Sequence, residues 1–127
     1  MNETLHRQLM AYPGVEHEFK PAWEMDLYRV GGKIFAQIGA DKANRPLLTM
    51  KLEPAFSDLL RSQYPGQIVP GYYCNKVHWS SLYLGSPVPE DVVKAMMDDA
   101  YHTVFASLTK KAQAEIESAA ASIGTGH

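Results

Sequence analysis

Apolar and polar positions along the chain switch between two periods. Val15, His17 and Phe19 alternate with Glu16, Glu18 and Lys20, which is a strand pattern. Met25 to Ile38 holds two alternating runs around Gly31-Gly32, a two-residue hairpin turn where positive φ is needed. The simplest register sets Val30 against Lys33, Tyr28 against Phe35 and Leu27 against Ala36. It predicts a core face of Met25, Leu27, Ile34, Ala36 and Ile38. The opposite face then carries Tyr28, Val30, Lys33, Phe35 and Gln37. Leu48, Met50 and Leu52 alternate with Thr49 and Lys51 in a further strand. The most β-prone run is Tyr72 to Leu84, one strand or two with a kink near Lys76 to His78. Leu82 and Leu84 point one way, and Trp79, Ser81 and Tyr83 the other.

Three- and four-residue spacing marks the helices. Residues 2–11 place Leu5, Leu9 and Met10 near one stripe, with Asn2 as cap and Tyr12-Pro13-Gly14 as stop. Pro54 opens a second helix that runs to about Gln63 and buries Phe56, Leu59 and Leu60. Tyr64 to Gly71, with two prolines and two glycines, reads as loop. Pro89-Glu90-Asp91 starts the longest helix, striped by Val92, Val93, Met96, Met97, Ala100, Tyr101, Val104, Phe105 and Leu108. Lys110-Lys111 suits its C-terminal end. Gln113 to Ser122 extends as an alanine-rich helix, and the last residues fray. Antiparallel strands on short turns, with segregated helices, predict an α+β fold: an antiparallel sheet carrying N-terminal, middle and long C-terminal helices.

At 127 residues, 46% apolar and 20% charged, the chain fits one domain with a core that needs no staple. Cys74 is the lone cysteine and suits a reducing compartment. The first ten residues lack a signal-peptide core, and no run approaches the length of a membrane span, so the expected place is the cytoplasm. Net charge is −2, which argues against a strong non-specific nucleic-acid binder. The charge is uneven. Residues 20–80 carry a net +3 and the remainder a net −5, so an anionic partner would meet the middle of the chain.

Val30-Gly31-Gly32-Lys33-Ile34-Phe35-Ala36, Lys51-Leu52, Asn75-Lys76-Val77-His78-Trp79, Tyr101 and Leu108-Thr109-Lys110-Lys111 follow in an order and spacing that resembles the MmcQ/YjbR-like family. The resemblance spans nearly the whole chain. It implies a frataxin-like, double-wing arrangement of antiparallel sheet and helices, with 1–112 as a single YjbR-like domain and 113–127 as a helical extension or frayed tail. It also implies a DNA-binding role, and sets Lys33, Lys51, Asn75, Lys76, His78 and Trp79 at the family's characteristic positions.

Read as chemistry, Tyr28, Lys33 and Phe35 with Thr49, Lys51, Trp79 and Tyr83 would make an aromatic and basic sheet face. Such a face can stack bases and contact phosphate. The bland reading makes the same aromatics core. A thiol enzyme is disfavoured, because Cys74 and His78 stand about 13 Å apart in an extended strand, and only a turn between them would bring them together. Asp98 and His102 share a helix face, and His17 lies between Glu16 and Glu18, but neither group shows a third metal ligand. The iron handling a frataxin-like fold suggests needs an acidic ridge, and the first helix offers only Glu3. No phosphate loop or catalytic carboxylate pair stands out, so neither enzyme nor cofactor is expected. The two readings left are a DNA-binding protein and a non-enzymatic small-ligand or protein-interaction module, whose pocket the same polar and aromatic cluster would line.

Overall fold

The computed structural model describes residues 2–71 and 75–125, without the side chains of Asn2 and residues 121–125. The fold is α+β, a six-stranded antiparallel sheet with four helices among the described residues. Helix α1 (Asn2–Met10) buries Leu5 and Leu9. Strands β1 (Val15–Lys20), β2 (Met25–Val30), β3 (Lys33–Ala40) and β4 (Pro46–Lys51) then form a meander of neighbours. Helix α2 (Pro54–Gln63) follows, with Pro54 at its start and the Glu53 carboxylate accepting the Phe56 N–H as cap. Strand β5 (Ile68–Pro70) lies at the sheet edge, and β6 (Trp79–Tyr83) returns between β4 and β5. Helices α3 (Glu90–Ala106) and α4 (Lys110–Thr125) close the chain.

The two faces follow from the register and the period of two. One face carries Tyr28, Val30, Phe35, Ile38, Leu48, Met50 and Leu82. These pack with Leu5 and Leu9 of α1, Leu60 of α2, and Met96, Ala100, Tyr101 and Val104 of α3 in a single core. Ala112 and Ile116 of α4 pack against that core, so residue 112 lies inside a continuous helix. On the other face Leu27, Gln37, Thr49 and Ser81 stand opposite one another in a row across β2, β3, β4 and β6. That row is buried as well.

Several expectations are corrected. A bulge shifts the hairpin register between Tyr28 and Arg29, so Tyr28 pairs with Ala36 and Leu27 with Gln37. Tyr28, Val30 and Phe35 therefore lie inside, and Leu27 lies on the other face. Two aromatic rings bring more apolar area than Met25 and Ile34, which decides the face. Leu59 is 52% exposed, because α2 turns Ser57 and Leu60 inward instead. The expected loop from Tyr64 to Gly71 includes β5. Among its described residues the β-prone stretch is strand from Trp79 and a turn from Lys76 to His78; Tyr72, Tyr73 and Cys74 lie outside the described residues, as does the Asn2 side chain expected to cap α1. Helix α3 stops at Ala106, and Lys110-Lys111 opens α4 behind Thr109, whose hydroxyl accepts the Ala112 N–H at 3.1 Å.

Candidate functional site

Lys51 and Trp79 are direct cross-strand partners at the joined ends of β4 and β6, both half-buried. By the period of two they share the face of Thr49 and Ser81, whose hydroxyls bond each other at 2.7 Å in the buried row. A lysine and a tryptophan thus share the side of the sheet away from the main core.

The turn before Trp79 completes the cluster. The Asn75 side-chain oxygen accepts the N–H groups of Val77 at 2.9 Å and His78 at 3.4 Å, an Asx turn. The Asn75 carbonyl accepts the Trp79 N–H at 2.9 Å. These local bonds hold Lys76, Val77 and His78 outward, with Val77 61% exposed at the tip. The Lys76 ammonium folds back toward the Gly71 carbonyl at 3.3 Å.

Three neighbouring elements anchor the turn. Leu52 N–H donates to the His78 carbonyl at 2.8 Å, and Gly71 N–H to the Trp79 carbonyl at 2.8 Å. A Cβ on Gly71 would stand 2.6 Å from that of Trp79 and 2.9 Å from its carbonyl oxygen, so only glycine fits there without movement. From α2, Arg61 Nη2 reaches the carbonyls of Lys76 at 2.6 Å and Trp79 at 2.7 Å. Its Nε donates to the Ser80 hydroxyl at 3.0 Å, which in turn meets the Ser57 hydroxyl at 2.6 Å.

Lys51, Asn75, Lys76, His78 and Trp79 are therefore brought to one end of the sheet. Lys33 begins β3 at that same end but turns to the helical side, with its ammonium 3.4 Å from the Ser107 carbonyl and 3.3 Å from its hydroxyl. Tyr28 and Phe35 are core and offer no stacking surface. Tyr83, at the far end of β6, is held by Asp41 at 3.0 Å and covered by the Arg45 guanidinium at 4.6 Å.

The candidate metal residues are committed elsewhere. Asp98 accepts from the Tyr12 hydroxyl and from Lys94 at 2.6 Å. Burial pushes its carboxyl up, but those two hydrogen bonds outweigh it and leave the group below the usual carboxylate range. His102 Nδ1 meets the Asp98 carbonyl at 2.7 Å, and His17 pairs with Asp26 at 2.7 Å. Among the described residues no group of three or more His, Cys, Asp or Glu side chains is placed to hold a metal. Cys74 lies outside the described residues, and the turn at Lys76 to His78 replaces the extended strand assumed for its distance to His78.

Arg61, Ser57 and Gly71 are the site residues that pattern reading missed. The signal was present in α2, where Ser57 and Arg61 sit four apart beside Leu60, interrupting an apolar stripe with polar groups.

The model of the family described as YjbR matches residues 10–103. Among curated relatives, uncharacterized protein YbdF of Escherichia coli O157:H7 is 32% identical over 116 residues, covering 91% of this chain and 93% of that protein. Uncharacterized protein YjbR of Escherichia coli K12 is 32% identical over 92 residues, covering 72% and 76%. The crystal structure of Deinococcus radiodurans protein DR2400, with a DUF419 domain, superposes with a TM-score of 0.82 at 24% identity, covering 92% of this chain and 88% of that one. A Pseudomonas syringae protein gives 0.66 at 18% identity, covering 79% and 95%. These two likenesses carry the fold. Among the described residues no helix is long and apolar enough to cross a membrane.

Proposed function

Since the chain belongs to the YjbR family, and a cationic and aromatic cluster stands at one end of its sheet, we propose that it is a cytoplasmic, non-enzymatic protein that binds DNA weakly through that cluster. The carrying observation is the pairing of Lys51 with Trp79 next to an exposed turn bearing Lys76 and His78. Lysines meet phosphate oxygens, and the indole packs on a base or sugar. Few cations on a chain of net charge −2 imply an affinity in the non-specific range, about 10⁻⁴ to 10⁻⁶ M.

The test is fluorescence anisotropy with short labelled single-stranded and duplex DNA across salt. Wild-type affinity should fall steeply between about 50 and 200 mM salt, and Lys51→Ala with Lys76→Ala should flatten the log–log slope by about 1–2. Affinity insensitive to salt, or to both substitutions, sinks the reading.

One observation favours a small-ligand module, at a place other than the His78 and Trp79 cluster expected to line its pocket. A cleft of about 350 Å³ between α1 and the connection from β6 to α3 is lined by Leu5, Gln8, Leu82, Leu84, Val88 and Val93 among others. That volume suits a small apolar molecule. NMR shift mapping separates the two readings, since DNA should perturb Lys51 and residues 75–79 and leave the cleft unmoved.

A further inference from the structure

We propose that Arg61 is the positioning residue of this site: it shapes the turn that presents Lys76, Val77 and His78, and does not itself contact the partner. The inference rests on the DNA-binding reading for its consequence but on geometry for its substance. A basic residue beside a basic turn is ordinarily counted as a phosphate ligand. Here three of its N–H bonds point into the protein, at the Lys76 carbonyl, the Trp79 carbonyl and the Ser80 hydroxyl.

The arrangement uses what only a guanidinium offers. The carbonyls of Lys76 and Trp79 converge on one nitrogen while Nε holds Ser80, so a single planar fork spans both ends of the turn. An ammonium is a point donor on a flexible stem and cannot reproduce that span. The fork is itself braced, since Ser57 lies one helical turn before Arg61 on α2 and bonds the same Ser80 hydroxyl at 2.6 Å. The Trp79 carbonyl also accepts the Gly71 N–H, so β5, β6 and α2 meet at one oxygen. Release of Arg61 would free the turn from α2 and leave the Asx bonds of Asn75, the Leu52 link and the Gly71 link to hold it.

Hydrogen exchange and DNA binding are measured together on Arg61→Lys and Arg61→Gln. Both variants should speed exchange of the Val77, His78 and Trp79 amides about tenfold, the size expected when hydrogen bonds of this kind are lost, and leave α3 amides unchanged. Both should weaken DNA binding by a similar factor with the salt slope intact, because no phosphate contact is removed. The proposal is overturned if Arg61→Gln lowers the slope by about 0.9 while Arg61→Lys binds like wild type, the signature of a direct phosphate contact. It is equally overturned if turn amides exchange no faster in either variant, or if exchange rises throughout the protein. Should wild type bind neither DNA probe, the DNA reading falls alone and the exchange data still decide Arg61. If the Arg61 variants do not fold, Ser80→Ala removes one acceptor of the fork and should speed the same amides by a smaller factor; no change there overturns the proposal.

Discussion

Tyr28 shows how much one side chain can carry when its face is decided by burial. Its ring is 1% exposed, and its hydroxyl meets His6 Nδ1 at 2.9 Å. Burial, and after it the negative charge of Asp26, pushes the phenol up to about 12. Between the ordinary value of about 10 and that raised one, the folded state keeps a proton that the unfolded chain releases, so stability falls as pH rises, by about 2–3 kcal/mol in all. Tyr28→Phe should cost about 1 kcal/mol near neutrality, where the His6 bond is lost, and its deficit should shrink above about pH 10. Urea unfolding of both proteins at neutral and alkaline pH measures the difference; a deficit that stays constant would refute the account. At this scale the sequence was only half legible. Alternation marked Tyr28 and Leu27 as opposite, but no local rule says which of the two is inside, and the bulge that settles it depends on partners in α1 and α3.

Helix α2 teaches the same lesson one level up. Its existence and its proline start were readable from Pro54 onward, while its rotation was not. The periodic stripe admitted Leu59, yet the helix turns Ser57 and Leu60 inward because Ser57 and Arg61 find partners at Ser80 and the turn beyond it. Polar groups with partners can claim buried positions that hydrophobicity alone would deny them. Leu60→Ala should therefore cost about 2–5 kcal/mol and Leu59→Ala less than about 0.5 kcal/mol. Equal losses in thermal melts would place the helix in the other rotation.

Across the whole molecule, the meander β1 to β4 and the outward side of β4 and β6 were legible because neighbours in sequence pair in space. The site was legible in part. Lys51, Asn75, Lys76, His78 and Trp79 gather because the chain enters β6 beside the end of β4, whereas Lys33 turns to Ser107 on the helical side. What pattern reading could not supply was the short edge strand Ile68–Pro70, held within a proline- and glycine-rich stretch by pairing with β6.

The placement of β6, interior in the sheet but last among the described strands, has a kinetic consequence. The first four strands join through short turns, while β6 reaches β4 only after the chain has passed through α2 and β5, so its pairing closes a longer loop. Lys51 and Trp79 become neighbours in that step, which makes the proposed binding surface a late product of folding. A partner that recognises the finished surface holds the protein by mass action in the docked form. Saturating DNA should thus slow unfolding in stopped-flow experiments and leave the refolding rate unchanged; acceleration of refolding would mean that the surface forms before the barrier is crossed.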